Sequence, residues 1–285
     1  MKPTLKPCLA ESMLRPHSRI MRFLPGLFLL SLITFAMPAQ AVMRGEISRQ
    51  PDGLRQSVVW IENSEGELCS GALIRPDIVL TAAHCMMDKA SYRVVALDRG
   101  FKAQRLRVMA AAVHPQFVPG TTPRTQPGVD LALLKLERPL GRDFQPFDLG
   151  LVRGVGAGDT VTLAGYGIAG ENEKRSARTL RQTELVSLGP VRISNNVLIV
   201  TDGNRLAQTS GAGACRGDSG GPIVAETRGG PRLLGIVSWS SGALRRARSS
   251  ACGGLTAVTP VADHLGWVNQ GVASLDGMQG HWARQ

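Results

Sequence analysis

The chain consists largely of short apolar runs separated by turn-rich stretches, and this pattern limits the folds open to it. No long helical period occurs before the end of the sequence. The clearest apolar runs lie at 56–61, 92–97, 160–164, 196–200 and 233–239. Runs of strand length between turn signals are typical of β-barrels and β-sandwiches. The sequence therefore predicts an all-β barrel protein.

Two further segments indicate how the chain is organised. The stretch 140–158 is rich in glycine and contains Pro146, so it is interpreted as a connection between two halves. Residues 261–272 place Leu265, Trp267 and Val268 near one side of a helix that closes the fold. The predicted parts are listed in chain order: 1–41, an extension and signal peptide; 42–150, a first barrel; 151–272, a second barrel with the terminal helix; and 273–285, a frayed tail.

The N-terminus has the features of an export signal. A short basic start leads into an apolar stretch at 23–36, followed by the small-residue cleavage site Pro-Ala-Gln-Ala at 38–41. This is the arrangement of a secretory signal peptide, and the apolar stretch is short for a membrane span. The mature protein is expected to begin at Val42 and to be secreted or periplasmic. An uncleaved anchor is the alternative, and Met1 and Met21 are both candidates for the translation start.

The cysteines fit an exported protein. An even number remains once residues 1–41 are removed: Cys69, Cys85, Cys215 and Cys252. In an oxidising compartment such a set predicts disulfides, although the sequence alone leaves their pairing open.

Ser219 and His84 lie in two strings that can support nucleophilic chemistry. Ser219 is flanked by Gly217, Gly220 and Gly221, so it is expected on a turn whose backbone can approach a substrate closely. A serine hydroxyl is a weak nucleophile until a base accepts its proton, and neutral histidine suits that role. A plain glycine-rich turn is the alternative, and the string Leu-Thr-Ala-Ala-His-Cys at 80–85 argues against it.

The nucleophile elbow of α/β-hydrolases is a second alternative, because Ser219 satisfies G-x-S-x-G. That elbow requires a strand, a sharp turn and a helix, with the acid and the histidine later in the chain. Here 222–225 and 232–239 have strand patterns, with a Gly-Gly-Pro turn between them, so a β-hairpin is predicted instead.

Asp130 is the best candidate for the acid that orients His84. It opens the largely apolar segment 130–136, so its side chain begins at the edge of a core where an unpaired charge would be costly. Asp98 also lies between His84 and Ser219, but its surroundings predict an exposed turn.

With the strings at 80–85, 130–136 and 215–222 in this order, the chain resembles the chymotrypsin-fold, trypsin-like serine proteases. The resemblance implies two packed antiparallel six-stranded β-barrels with a C-terminal helix and an active site in the cleft between them. It implies an endopeptidase that forms an acyl-enzyme through His84, Asp130 and Ser219 and uses no cofactor. A catalytically silent binding protein with the same fold is the alternative.

The same resemblance assigns roles to other residues. The N–H groups of Gly217 and Ser219 would form the oxyanion hole, and a new N-terminal ammonium at Val42 would pair with Asp218. Signal cleavage after Ala41 would then produce active enzyme directly. The family pairing of cysteines would join Cys69 to Cys85 and Cys215 to Cys252.

The specificity pocket is assigned by position. The resemblance places Gly213 at the base, followed by Ala214, and forms the walls from Ser238, Trp239, Ser240 and Gly254. Because the base has no carboxylate, burying a Lys or Arg side chain there would leave its charge unpaired. We therefore expect an uncharged apolar residue before the scissile bond.

The formal net charge of +11 is carried largely by arginine. A solvated surface is the simpler explanation, and attraction to anionic polymers or acidic substrates is the alternative. The expected partner is a protein or peptide substrate of a monomeric enzyme; no nucleic-acid motif is present, and no stable membrane insertion is expected after signal cleavage. The basic loop assigned to 97–108 lacks paired carboxylates, so no metal site is predicted.

Overall fold

The computed structural model describes residues 42–50, 53–86, 90–150, 154–245, 250–277 and 282–284. The predicted leader at 1–41 lies outside these residues. The strands, in chain order, are β1 (Glu46–Ile47), β2 (Val58–Asn63), β3 (Leu68–Arg75), β4 (Ile78–Thr81), β5 (Tyr92–Leu97), β6 (Ala103–Val113), β7 (Ala132–Leu136), β8 (Thr160–Gly165), β9 (Arg181–Arg192), β10 (Asn196–Thr201), β11 (Pro222–Thr227), β12 (Gly230–Ser240), β13 (Thr256–Pro260) and β14 (Trp282–Arg284). One α-helix, α1 (Leu265–Asp276), follows β13, and short 3-10 helices lie at Leu54–Gln56, Ala83–Cys85, Lys174–Ser176 and Ala262–His264.

Two six-stranded antiparallel barrels form the fold, as predicted. The first closes in the order β6-β5-β2-β3-β4-β7, with β6 also pairing with β7. The second closes in the order β9-β10-β13-β12-β11-β8, with β8 also pairing with β9. Short hairpins join β2 to β3, β3 to β4, β5 to β6 and β9 to β10, and the predicted Gly-Gly-Pro hairpin joins β11 to β12.

The apolar runs are continuous because both faces of several strands are buried. In β2, Val59 and Ile61 belong to the core of the first barrel, whereas Val58 and Trp60 belong to a second apolar cluster. That second cluster includes Tyr166, which follows β8, so it spans residues from both halves. A strand buried on both faces loses the polar alternation of a half-exposed strand.

The first and last elements of the described chain each contact the barrel formed by the other half. β1 pairs with β9 of the second barrel, and Val42 lies fully buried in that barrel's core. At the other end, α1 packs on β6 and β7 of the first barrel. A Cβ at Gly271 would lie 2.6 Å from Leu133 Cδ1, so the close approach of this helix depends on a glycine. The prediction that residues 42–150 form the first barrel is therefore wrong for β1, which pairs with the second barrel.

Two further sequence expectations need correction. The frayed tail assigned to 273–285 is too long, because α1 continues to Asp276, which pairs with Arg75 and Lys135, and β14 adds in parallel to β6. Half of the basic loop assigned to 97–108 belongs to β6, in which the exposed Arg105 and Arg107 flank the buried Leu106. Among the described residues, no helix is long and apolar enough to cross a membrane.

Candidate active site

His84 and Asp130 are held together by two hydrogen bonds. β4 ends at Thr81, and the 3-10 turn at Ala83–Cys85 carries His84. The His84 ring Nδ1 lies 2.8 Å from Asp130 Oδ2, and the His84 backbone N–H donates to Asp130 Oδ1 at 2.9 Å. Because both carboxylate oxygens contact the histidine, the ring is fixed with Nε2 as the nitrogen left for proton transfer.

The Asp130 carboxylate is fully buried and also accepts a hydrogen bond from Ser238 Oγ at 2.5 Å. Burial alone would raise the pKa of Asp130, but the adjacent His84 and the hydrogen bonds from His84 and Ser238 hold that pKa below its usual value. The carboxylate therefore stays ionised and can stabilise a protonated imidazole. Asp98, by contrast, lies in a turn where its carboxylate accepts the Lys102 N–H at 2.8 Å.

Ser219 lies on a tight turn that only glycines permit. Gly217 and Gly220 have φ values of 92° and 79°. A Cβ at Gly220 would lie 2.0 Å from Thr81 Oγ1, so the turn packs directly against the end of β4, near His84. The Ser219 side chain is half-buried. Ser219 and His84 are both described, and no hydrogen bond joins the Ser219 hydroxyl to the His84 ring. Such bonds are often long without substrate and form in the Michaelis complex.

The backbone beside Ser219 offers two free donors. The N–H groups of Gly217 and Ser219 have no acceptor among the described residues, whereas the next N–H, from Gly220, donates to the Val237 carbonyl at 2.8 Å. Adjacent unpaired N–H groups beside a serine can bind the oxygen of a carbonyl under attack.

Ser70, in β3, holds this turn in place and was not identified from the sequence. Its backbone N–H donates to the Ser219 carbonyl at 2.8 Å, and its hydroxyl donates to the Gly217 carbonyl at 2.9 Å. The same hydroxyl accepts the N–H of Tyr166 at 2.9 Å. No local motif marks Ser70, because each contact joins residues far apart in the chain.

Asp218 is buried beneath the turn. Its Oδ1 accepts the Gly167 N–H at 2.8 Å and its Oδ2 accepts the Cys215 N–H at 2.9 Å. Burial raises the pKa of Asp218 to about 7, against the opposing effect of these hydrogen bonds and of the Arg181 charge. Val42, its expected partner, lies in the core of the same barrel, but its nitrogen is a peptide amide in the full-length chain.

The predicted pocket base is neutral and tightly packed. Gly213 and Ala214 are buried, and the Ala214 N–H donates to Thr256 Oγ1 at 3.2 Å. The Gly254 carbonyl accepts a hydrogen bond from Thr201 Oγ1 at 3.1 Å. Asp202 lies close by, but its Oδ2 accepts the Ala212 N–H at 2.8 Å and its Oδ1 accepts two other backbone N–H groups.

Two disulfides lie close to the candidate site. Cys215 and Cys252 form one disulfide, and Cys69 and Cys85 form the other beside His84, which confirms the pairing implied by the resemblance. Ser240 and the half-buried Trp239 end β12 next to the pocket. Cys69, His84 and Cys85 also form the one group of metal-binding side-chain types among the described residues, but both sulfurs are bonded to each other and offer no thiolate.

Comparison with known proteins gives a consistent result. The family model described as Trypsin matches residues 45–265. The chain is 30% identical over 247 residues to rabbit (Oryctolagus cuniculus) vitamin K-dependent protein C, covering 79% of this chain and 51% of that protein. It is 28% identical over 207 residues to trypsin iota of Drosophila melanogaster, covering 68% of this chain and 78% of that protein.

The chain thus spans about half the length of the protein C relatives that it matches. Among solved structures, one of HBP superposes with a TM-score of 0.60 at 22% identity, over 81% of this chain and 96% of that chain. A mutant of human heparin binding protein superposes with a TM-score of 0.60 at 24% identity, over 80% and 95% of the two chains. These two structures support the fold alone.

Proposed function

Because the chain belongs to the trypsin family of serine proteases, we propose that it is an exported serine endopeptidase that uses Ser219, His84 and Asp130. The observation that carries this proposal is the pair of unpaired N–H groups, from Gly217 and Ser219, next to a histidine fixed by a buried carboxylate. A purely structural turn has no need of both features.

The proposed reaction begins when Ser219 Oγ attacks the carbonyl carbon of the scissile bond. The hydroxyl proton passes to His84 Nε2, and the carbonyl oxygen becomes an anion that accepts the N–H groups of Gly217 and Ser219. The imidazolium then gives its proton to the leaving amine, the C–N bond breaks and an acyl-enzyme remains. Water then attacks the ester carbon and passes a proton to His84, which gives that proton to Ser219 Oγ as the ester C–O bond breaks and the acid is released.

The neutral pocket base supports a preference for an uncharged apolar residue before the scissile bond. Gly213 and Ala214 supply no charge, and the oxygens of the nearby Asp202 are occupied by backbone donors. The two disulfides fit an oxidising compartment, which supports export through the signal predicted at 1–41.

A protease-fold binding protein without turnover is the second candidate. The observation that favours it is the missing hydrogen bond between the Ser219 hydroxyl and the His84 ring in the described structure. The two candidates differ in whether Ser219 reacts with an acylating reagent.

Labelling with a fluorophosphonate probe tests the proposal. The exported wild-type protein should be labelled on Ser219 and should cleave peptides from a mixed library. The Ser219→Ala variant should lose labelling and about 10⁶ in kcat, because loss of the nucleophile leaves only substrate binding and the oxyanion hole to accelerate the reaction. Ser91→Ala, at an exposed serine in the first barrel, is the matched control and should behave as wild type. Labelling at another residue, or an unlabelled but folded wild type, would contradict the proposal.

A further inference from the structure

The last residues of β12 have one open edge beside the catalytic groups. β11 pairs with β12 only as far as Ile236, whereas β13 continues to pair through Ser240. Ser238 lies at the start of this unpaired part, where its hydroxyl bonds to Asp130. In the described part of the chain no strand lies on that side of 238–240. An extended peptide can add to such an edge as a further strand.

The carbonyl of Ser240 points to the open edge. The next residue, Ser241, bonds on the β13 side with both backbone groups, its N–H to Leu255 and its carbonyl from Gly254, each at 2.8 Å. Because backbone groups alternate in direction along a strand, those of Ser240 face the other way. The Ser240 carbonyl is therefore the acceptor that an added peptide strand would use.

Arg124 occupies this acceptor. Its Nη2 donates to the Ser240 carbonyl at 2.9 Å, and its guanidinium carbon lies 5.3 Å from the centre of the Trp239 ring. The backbone of its loop is braced, because Ser194 Oγ donates to the Arg124 carbonyl at 3.2 Å and Asn195 Nδ2 donates to the Gly128 carbonyl at 2.7 Å.

The charge of Arg124 is not neutralised within the described structure. The side chain is exposed, and no described carboxylate lies within ion-pair distance of it. Arg216, beside Gly217, is in contrast paired with Glu171 at 3.3 Å. A substrate strand that takes the Ser240 carbonyl must displace the guanidinium, and a substrate carboxylate offers it a new partner.

We propose that Arg124 determines specificity by pairing with an acidic side chain of the substrate, two to four residues before the scissile bond. This inference rests on the proposed endopeptidase function. Ser240 lies two residues beyond Ser238, or roughly 7 Å of strand, so the peptide residue opposite it is about the third before the bond. A neutral or basic substrate residue at that position cannot form an ion pair with Arg124, and a basic one is repelled by it.

Peptides that differ only at these positions test the inference. Each peptide keeps one apolar residue before the scissile bond and carries Glu, Gln or Lys at the second, third or fourth place before it. The wild type should prefer the Glu peptide over the Lys peptide by roughly tenfold in kcat/KM, mainly through KM. The two effects add, because Arg124 attracts the Glu side chain and repels the Lys side chain. Arg124→Gln should remove the preference, and Arg124→Glu should invert it.

Arg228→Glu is the matched control, because Arg228 is exposed on the β11–β12 hairpin and gives the same change in net charge. It should keep the wild-type preference. Equal cleavage of the Glu and Lys peptides, or a preference unchanged in Arg124→Glu, would overturn the inference and leave the endopeptidase proposal standing.

Binding provides a readout that does not depend on turnover. Ser219→Ala protein should bind the Glu peptide more tightly than the Lys peptide in fluorescence polarisation, and the Arg124→Glu change should reverse that order. If the wild type cleaves no peptide and takes no fluorophosphonate, the proposed function fails. Equal binding of the two peptides by the Ser219→Ala protein would instead overturn the role of Arg124 alone.

Discussion

Met43 and Gly213 form an antiparallel bridge in which the Met43 N–H donates to the Gly213 carbonyl at 3.0 Å and the Gly213 N–H donates back at 3.2 Å. The bridge ties the segment after Val42 to the residue assigned to the pocket base. A change at Val42 or Met43 therefore acts on the backbone that leads to Asp218 and Ser219.

Residues added ahead of Val42 should lower activity. Burial raises the pKa of Asp218 to about 7, so a nearby ammonium would favour its ionised form and order the turn at Gly217. Protein that begins at Val42 should be active, and protein with a tag fused before Val42 should lose at least about tenfold in kcat. The same tag after Gln285 is the control. Full activity of the N-terminally tagged form, or a natural N-terminus well downstream of Val42, would contradict this prediction.

Asp130→Asn should reduce kcat by about 10⁴ with the fold intact, because the amide favours the wrong imidazole tautomer. Ser238→Ala removes only one of the hydrogen bonds to Asp130 and should cost about tenfold or less. Kinetics on an ester substrate, with circular dichroism for the fold, measure both effects. A loss below tenfold in Asp130→Asn would mean that another acid orients His84.

The pocket should favour an apolar residue before the scissile bond over Lys or Arg by at least about tenfold in kcat/KM. A library cleavage profile read by mass spectrometry measures this. Arg-selective cleavage would contradict the assignment of Gly213. In that case the Asp202→Asn variant would show whether Asp202 supplies the negative charge that pairs with the substrate arginine. Asp202 is the candidate because its carboxylate contacts the Ala212 N–H, next to Gly213.

Acid should weaken the contact between α1 and the first barrel through His114, whose ring centre lies 4.8 Å from that of Trp267 in α1. Burial, and then the charge of His264, lower the pKa of His114 to about 4 from 6.5. Between these values the unfolded chain binds more protons than the folded one, so stability rises with pH across this window and falls as pH drops from 6.5 to 4. Urea midpoints measured from pH 7 to pH 4 should fall more steeply for wild type than for His114→Gln. Coincident slopes would show that other groups dominate.

The chemical groups of the candidate site could be predicted from the sequence more fully than the strands and contacts that hold them in place. Ser219, His84 and the strands around them are marked by local strings, and the disulfide pairing follows from the resemblance. The first half of β6 is not predicted, because the resemblance assigns 97–108 to a loop, although Arg105 and Arg107 alternate with buried Leu106 there. β1 has only two residues and no pattern of its own, so its pairing with β9 depends on tertiary context.

Ser70 joins the turn that carries the nucleophile to a strand of the other barrel, through hydrogen bonds to Ser219 and Gly217. The shape of this turn therefore depends on the packing of β3 in the first barrel. A partner or mutation that loosens β3 would therefore disturb the turn that carries Ser219 and lower the proposed activity. In the other direction, an inhibitor attached to Ser219 would slow hydrogen exchange at the Ser70 amide.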